Sequence, residues 1–332
     1  MTASQTRHIL DTTRSASTAV EQERHILQAR RVQFDLSQTP LHWIPDDAFS
    51  THLINGIHML LPAGEFWFCR VYNKALPYVT DPVLRADVEG FIRQEAIHAR
   101  VHQGGQAYLQ AHGLDTEAYI ARANWLFGKF LGDAPLGLKV LQRKQLEKRW
   151  LITRVGVIAA IEHFTGMLGQ WCMDNTSWDK ADPVMADLFR WHLAEEVEHR
   201  NVAFDLFHHL CETELGFYAG RQALMAIIFP LFIHFLTEGM RALASQDRSN
   251  AEIRAMARRS LPRLLWEVER IGRASDNIPT FSFLVKGTLR WLSPRFHPEP
   301  EGNTQQALDY IARSPAARAA AAAAAEQGQT LH

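Results

Sequence analysis

Two Glu-x-x-His pairs are the residues of this chain whose types and spacing could do chemistry together. They are Glu95 with His98 and Glu196 with His199. Residues three positions apart lie on one face of an α-helix, so each pair can direct a carboxylate and an imidazole at the same point. Both groups are ligands of iron, manganese and zinc. The pairs therefore predict a metal site between two neighbouring helices.

The pairs stand at equivalent positions of an internal repeat. An Asp-Pro-Val triplet begins at Asp81 and again at Asp182, and in each copy the glutamate follows 14 positions and the histidine 17 positions after that aspartate. An aspartate followed by proline is a helix-start signal, because the carboxylate caps free N–H groups and proline fits the first turn. The shared register selects Glu196, rather than the adjacent Glu195, as the counterpart of Glu95.

Two further glutamates, Glu65 and Glu162, lie in apolar stretches upstream of the two pairs. A carboxylate in an apolar helix is costly unless it is paired or bound to a cation. A paired-metal site in a helical bundle needs one such carboxylate from each of two helices besides the two that carry Glu-x-x-His. The predicted metal ligands are Glu65, Glu95, His98, Glu162, Glu196 and His199.

Three other histidines lie on helix faces near the predicted site. His102 follows His98 by one turn, whereas the equivalent position of the second copy is Ala203. We interpret His102 either as an additional ligand or as a group hydrogen-bonded to the ligands. For His58 and His192 the alternatives are a place in a cavity wall and a hydrogen-bonded position in the core, and we favour the core position for each.

Carboxylates commonly orient metal-bound imidazoles by hydrogen bonding to the second ring nitrogen. Asp87 and Asp205 are candidates for this role, with helix capping or a surface ion pair as the alternative. Glu195 is a candidate for an additional ligand or for the same orienting role. Glu198 is expected to face solvent or an arginine such as Arg200.

The spacing of apolar residues predicts an all-α protein, because no stretch alternates apolar and polar residues long enough to indicate a strand. Predicted helices span residues 48–78, 81–112, 116–130, 136–175 and 182–214. We expect residues 43–214 to form a four-helix metal-binding bundle with additional helices at both ends. An N-terminal arm over 1–42 is expected to pack on it or to be partly disordered. Residues 215–300 are expected to form a helical extension packed on the bundle, and the alanine-rich residues 301–332 a flexible tail without an apolar ridge.

Composition indicates a folded protein that does not bind nucleic acid, since 35 basic and 36 acidic residues give a net charge of −1. Three cysteines without paired spacing indicate a reducing, cytoplasmic compartment. The longest apolar run, 223–236, is shorter than the roughly 20 residues that span a membrane, so no transmembrane segment is expected. We interpret this run as a buried helix, in preference to one on a membrane surface, and as a wall of a substrate channel.

The order of one glutamate followed by Glu-x-x-His, present twice, resembles the ferritin-like di-iron carboxylate proteins over residues 43–214. More narrowly, the amino-acid sequence around these residues is similar to a bacterial family of predicted metal-dependent hydrolases. The segments that carry this likeness are Asn55-Gly56, Glu65-Phe66 with Phe68, Glu95-Ala96 with His98 and His102, Glu195-Glu196 with Glu198-His199, and Val202-Ala203-Phe204-Asp205.

The resemblance implies a ferritin-like bundle with two metal ions. The donor set suits iron best, with manganese as an alternative and zinc less well suited. The expected reaction is oxidation of a small, largely apolar molecule by dioxygen, with electrons from an external donor, in a protein that forms a homo-oligomer such as a dimer. The alternatives are a hydrolase that uses a metal-bound hydroxide, an iron-buffering protein, and a scaffold with a vestigial site.

Overall fold

Helices form all the regular structure that the computed structural model describes, which is residues 25–329. No β-strand occurs in that part of the chain, and the prediction of an all-α bundle is confirmed. The helices are α1 (Ala48–Ala75), α2 (Pro82–Ala111), α3 (Glu117–Trp125), α4 (Lys144–Asp174), α5 (Pro183–His199), α6 (Val202–Leu210), α7 (Glu214–Ala244), α8 (Ala251–Ala257), α9 (Leu261–Ser275), α10 (Phe281–Trp291), α11 (Thr304–Arg313) and α12 (Pro315–Gln329).

The bundle is built from two helical hairpins, one in each half of the repeat. In the first hairpin α1 packs along α2, and in the second α4 packs along α5. Helix α7 then lies against both α1 and α4. Four helix pairs, α1 with α2, α4 with α5, and α7 with both α1 and α4, therefore form the body of the bundle.

The repeated Asp-Pro start signals work as predicted. The Asp81 carboxylate accepts the N–H of Val83 at 2.8 Å, and the Asp182 carboxylate accepts the N–H of Met185 at 2.9 Å. Each capping bond satisfies an N–H group that the first helical turn leaves free. At the other end of α2, Gly113 has a φ of 77°, which stops the helix in the left-handed conformation that glycine adopts readily.

Glycines allow two pairs of helices to approach closely. A Cβ added to Gly169 of α4 would lie 2.4 Å from the carbonyl oxygen of Leu193 on α5. A Cβ added to Gly56 of α1 would lie 3.1 Å from the carbonyl carbon of Gly239 on α7. The absence of side chains at these points allows α4 to lie close to α5 and α1 to lie close to α7.

The predicted helix over 182–214 is wrong as a continuous element, because it breaks directly after His199. Arg200 is buried, and its guanidinium donates to the carbonyl of Val197 at 2.5 Å and to that of Glu299 at 2.7 Å. The side chain thus takes a carbonyl that a continuous helix would use for its own backbone. Helix α6 starts at Val202, after a turn at Arg200 and Asn201.

The predicted start of the fourth long helix, at residue 136, is also wrong. Residues Pro135–Gly137 and Lys139–Gln142 form 3₁₀ turns, and α4 begins eight residues after residue 136. Leu136 and Gly137 have φ angles of 50° and 84°, which a right-handed helix cannot include.

The alanine-rich tail was expected to lack a docking ridge, and this is wrong for its first part. Residues 304–317 lie on α5, where the buried side chains form a small core with Trp191 and Val197. The tail residues in this core are Ala307, Ile311, Ala316 and Ala317. Small side chains suffice because a large one, the Trp191 indole, lies opposite them.

Part of the predicted N-terminal arm can be followed. Residues 25–42 are not helical, and they run along the bundle with Leu27, Val32 and Leu36 buried. The rest of the predicted arm, residues 1–24, lies outside the described residues. The packing of the described portion on the bundle is as expected.

Two helices of the described chain are long and apolar enough to cross a membrane by length and composition alone. They are the stretch Gln145–Asp174 in α4 and the whole of α7. Within the most apolar stretch of each helix, 72% is buried in α4 but only 33% in α7. The interpretation of 223–236 as a buried helix is thus correct for one face, since Ile228 is buried while Ile227 is 61% exposed.

Candidate metal centre

The six side chains predicted as metal ligands come together at the centre of the bundle. Helix α1 supplies one, α2 two, α4 one and α5 two, and each of the six is at most 2% exposed. They are Glu65, Glu95, His98, Glu162, Glu196 and His199. The same i, i+3 spacing in α2 and α5 therefore aims both Glu-x-x-His pairs at one point, as the repeat predicts.

Four of these side chains form a first group around one point. Glu95, Glu162, Glu196 and His199 offer ligand atoms that all lie within 4.8 Å of one another. The Nε2 atom of His199 is 3.3 Å, 3.4 Å and 3.2 Å from oxygens of Glu95, Glu162 and Glu196 respectively. Ligand atoms bound at about 2.1 Å to one ion lie roughly 3.0–3.4 Å apart. These spacings fit a shared cation better than three hydrogen bonds from a single nitrogen.

A second group shares a carboxylate with the first. Glu65, Glu95 and His98 also offer ligand atoms within 4.8 Å of one another. The Nδ1 atom of His98 lies 3.5 Å from an oxygen of Glu95 and 3.5 Å from an oxygen of Glu196. Glu95 thus belongs to both groups, and Glu196 contacts the histidine of each. Two cations side by side, bridged by these two carboxylates, fit the arrangement.

Buried polar atoms without hydrogen-bond partners are concentrated in this cluster. Among the described residues they include both carboxylate oxygens of Glu65 and of Glu95, one oxygen of Glu162, and Nδ1 of His98. Leaving a buried polar atom unpaired costs about 1–3 kcal/mol, and more when it is charged. A pair of divalent cations would satisfy all of these atoms at once, so the residues present fit such a pair.

The acidic side chains repel one another in this buried position. Burial, followed by repulsion from Glu95, raises the pKa of Glu65 well above its usual value. Burial, followed by repulsion from Glu196, does the same to the pKa of Glu162. Burial lowers the pKa of His199, but the contacts with Glu196 and Glu162 outweigh it and raise this pKa. Protons therefore occupy the cluster readily, and cations would displace them.

In each Glu-x-x-His pair, the residue directly before the glutamate contacts the histidine of the opposite pair. The Glu195 carboxylate lies 2.9 Å from Nε2 of His98, and the Gln94 side-chain oxygen lies 3.0 Å from Nδ1 of His199. Each contact occupies the ring nitrogen that faces away from the cluster and leaves the other nitrogen free to bind a cation. We did not predict this role for Gln94 from the sequence, although Gln94 directly precedes Glu95 just as Glu195 directly precedes Glu196.

Glu198 is buried and faces an arginine, which was one of the two expected alternatives, but the arginine is Arg30 and not Arg200. The Glu198 carboxylate accepts from Arg30 of the N-terminal segment at 2.8 Å and from Gln94 at 2.9 Å. Arg30 also donates to Glu195 at 2.7 Å. The segment before α1 thus closes the network that holds both ligand histidines, and Arg200 takes no part in it.

Asp205 does not orient a ligand histidine. Its side chain is 41% exposed and contacts His297 at 3.0 Å, because the break after His199 turns α6 away from the cluster. The alternative of a surface ion pair fits this contact. Asp87 is half-buried on α2, outside the groups of potential metal ligands among the described residues, and its orienting role stays a prediction.

Three histidines form a chain that ends at the cluster. His192 Nε2 lies 2.8 Å from Glu196 and 3.6 Å from Glu65, while His192 Nδ1 lies 2.5 Å from His102. His102 in turn contacts His58 at 2.8 Å. Both ring nitrogens of His102 therefore face other imidazoles, which fits the hydrogen-bonded alternative for this residue.

His192 lies closer to the cluster than its interpretation as a core histidine implies. Burial, followed by the charge of His98, lowers the pKa of His192 to about 4, so its imidazole is neutral near pH 7. A neutral imidazole can bind a metal ion. The sequence signal for this position is its spacing of four residues before Glu196, which places both side chains on one helix face.

An apolar cavity of about 190 Å³ reaches the cluster from one side. Its inner end is formed by Glu65, Glu95, Glu162, His192 and Glu196. The remaining wall is contributed by α1, α4, α7, α9, α10 and residues 126–131, and is almost entirely aliphatic and aromatic. Helix α7 lines it from residue 228 to residue 237, so the predicted apolar wall 223–236 does face this cavity.

Replacing Gln94 with leucine is expected to weaken metal binding by about 10–100-fold, the usual effect of removing a group that orients a ligand. The His199 ring would lose the acceptor that fixes its rotation. Titration of apo-protein with Mn(II), followed by electron paramagnetic resonance, measures the change. Gln94→Glu keeps an acceptor for His199 but loses the N–H that donates to Glu198, so it should restore the affinity only in part. Unaltered affinity in Gln94→Leu would contradict the orienting role.

Comparison with known proteins supports metal dependence. Neither the search of curated proteins nor the search of solved structures found a match. A family model described as predicted metal-dependent hydrolase matches residues 28–302, which include all six predicted ligands together with Arg30 and the cavity walls. The chain therefore belongs to the family of predicted metal-dependent hydrolases.

Proposed function

We propose that the protein is a dimetal carboxylate enzyme that oxidises a small, largely apolar molecule with dioxygen. The observation that carries this proposal is the apolar cavity that ends at the cluster of glutamates and histidines. When bound, two iron ions would supply the capacity to reduce dioxygen, with electrons from an external donor. Manganese is the alternative, and zinc suits the four carboxylates less well.

The residues of the chain would act as ligands, bridges and walls. Glu65 and His98 would hold one ion, Glu162 and His199 the other, and Glu95 and Glu196 would contribute to both positions. The spacings among these side chains and their unpaired buried atoms support this assignment. Because every ligand is buried, bulk water is excluded from the position beside the cluster, where a reactive species would otherwise be quenched.

The cavity wall would hold a substrate by shape and hydrophobic contact rather than by hydrogen bonds. Outside the cluster, the hydroxyl groups in the wall are those of Thr165 and Thr237. Both donate to carbonyls of their own helices, at 3.2 Å to Glu162 and 2.8 Å to Ile233. An alkyl or aryl group therefore fits this wall, which offers few hydrogen-bond donors for the carbonyl of an ester or amide.

Hydrolysis is the second candidate, because the family description names it. A metal-dependent hydrolase activates water at the metal, and the same ligands could hold the ions for that purpose. An iron-buffering role is the third candidate, and it would make no use of the apolar cavity.

Dioxygen uptake distinguishes these candidates. Protein loaded anaerobically with Fe(II) should consume dioxygen, and hydrocarbon probes of increasing chain length should raise the rate at least about 10-fold until the chain exceeds the cavity. Protein loaded with Zn(II) and offered p-nitrophenyl esters is the matched assay for hydrolysis. Ester turnover by the zinc form with no dioxygen uptake by the iron form would favour hydrolysis. Uptake that no hydrocarbon affects, together with storage of many irons per chain, would favour iron buffering.

A further inference from the structure

The segment between α3 and α4, residues 125–149, presents large apolar side chains to solvent. Their exposed fractions are 53% for Trp125, 44% for Phe130, 61% for Leu136, 55% for Leu138 and 44% for Val140. Single exposed apolar residues are common, but a contiguous group marks a binding surface for a protein or a membrane. We call these five residues the apolar patch.

The apolar patch is contiguous in space as well as in sequence. The rings of Trp125 and Phe130 stack with centroids 6.0 Å apart. The π-helical turn Leu126–Phe130 packs against the 3₁₀ turn Pro135–Gly137, and the turn Lys139–Gln142 packs against the start of α4. Trp125 and Phe130 thus form a stacked pair, the turn that carries Leu136 packs beside Phe130's turn, and Leu138 and Val140 follow directly in the chain.

Cations surround the apolar patch. Residues 125–149 contain six lysines and arginines but two acids, a net charge of +4 in a chain whose total is −1. Lys129, Lys139, Arg143 and Arg149 are exposed. One of the acids, Asp133, is paired with Lys74 at 2.5 Å and Arg154 at 2.7 Å, both outside the segment. The charge of Asp133 is therefore neutralised by residues outside the segment, and Lys129, Lys139, Arg143 and Arg149 remain exposed to solvent.

The inner side of the same segment forms part of the cavity wall. Leu126, Phe127 and Leu131 alternate with the exposed residues and line the apolar cavity. The Trp67 indole of α1 donates to the Leu131 carbonyl at 3.0 Å and anchors the segment to the bundle. One layer of chain therefore separates the cavity from the exposed apolar patch.

We propose that residues 125–149 dock the protein on the surface of a membrane that contains anionic lipid. The apolar patch enters the boundary between headgroups and acyl chains, where a tryptophan is especially favoured. The lysines and arginines contact lipid phosphates, whose negative potential a cationic segment complements. This docking goes beyond the proposed reaction and does not depend on it, because no metal ligand lies in the segment.

Flotation of the full-length protein with vesicles tests the docking. Vesicles of phosphatidylcholine with about 30% phosphatidylglycerol should carry the protein, while pure phosphatidylcholine should carry at least about 10-fold less. Raising the salt concentration from about 0.05 M to 0.5 M should lower the binding several-fold, because salt screens exposed charges. Metal content and dioxygen uptake should be the same in bound and free protein.

Two variants and a control locate the surface. L136D/L138D and K129E/K139E should each lower vesicle binding at least about 10-fold while the metal content stays unchanged. Asp is tolerated at position 136, where φ is 50°, at least as well as the native leucine. Trp266→Asp is the matched control, since this indole is 60% exposed on α9, away from the segment. Its vesicle binding should equal that of the unaltered protein.

Two outcomes would overturn the proposal. One is the absence of binding to the anionic vesicles at low salt, or equal binding by L136D/L138D and the unaltered protein. The other is a concentration-dependent dimer in light scattering that L136D/L138D abolishes and vesicles do not compete with, since the apolar patch would then be an interface between two copies of the chain.

Discussion

The variant Glu95→Ala is expected to lose both metal ions, whereas the unaltered protein should bind about two per chain. Glu95 belongs to both groups of potential ligands, and its oxygens lie between His98 and His199. Its removal would separate the two positions and take one ligand from each. We expect the affinity of each position to fall by more than about 100-fold, beyond the effect of losing an orienting group.

Metal analysis after anaerobic loading and gel filtration measures this loss. Asp205→Ala is the matched control, because it also removes a carboxylate from a helix next to the cluster, but one that is 41% exposed and contacts His297. The control should retain the metal content of the unaltered protein. Two ions per chain in Glu95→Ala would contradict the bridging role, and unchanged content after loss of Glu196 as well would rule out a metal centre at this cluster.

Glu65→Gln is expected to make the metal-free protein more stable while it removes the stabilisation that metal provides. Burial and the Glu95 carboxylate raise the pKa of Glu65 in the folded chain, above the value of about 4.3 for an unfolded glutamate. Between these two values the folded state binds more protons than the unfolded state, so the free energy of unfolding falls as the pH rises. Glutamine is neutral throughout and escapes this loss.

The expected gain in the metal-free variant at pH 8 is about 1–3 kcal/mol, or roughly 2–6 °C in Tm. Adding Mn(II) should reverse the order, because a ligand that binds only the folded state raises its stability and the variant lacks one ligand. Thermal unfolding followed by circular dichroism, with chelator and with Mn(II), measures both effects.

Glu212→Gln is the control for this stability test, since its carboxylate is 83% exposed and its contact with Lys148 is a surface ion pair. It should change neither the metal-free Tm nor the response to Mn(II). Equal or lower metal-free stability of Glu65→Gln would mean that Glu65 is stabilised by a partner other than a cation. A full response to Mn(II) in that variant would exclude Glu65 as a ligand.

The outer part of the centre shows where prediction from the chain alone reaches its limit. Glu195 and Gln94 orient His98 and His199 crosswise, between the two helices that carry the pairs. Such contacts depend on the rotation of one helix against the other, which spacing within a single helix does not determine. The arginine that pairs with Glu198 was not identified for the same reason, since Arg30 comes from a segment far away in the chain.

The helix break after His199 has a similar origin. Residues 182–214 carry an uninterrupted helical pattern, but Arg200 donates to carbonyls around residue 299, which the fold brings against it. This contact ends α5 and carries Asp205 away from the cluster. The packing of the alanine-rich tail likewise depends on Trp191 of another helix. A run of alanines has no large apolar side chains from which this packing could be predicted.

What the sequence determined by itself was the helical class, the starts of α2 and α5, and the six side chains that meet at the centre. Capping and the i, i+3 spacing act within a few residues, so a repeat of both can be read without a structure. Only the tertiary structure decided which residue orients each histidine, that His192 lies beside the cluster, and that an apolar cavity opens on the cluster. These features arise where separate helices pack, and packing is set by contacts between residues distant in the chain.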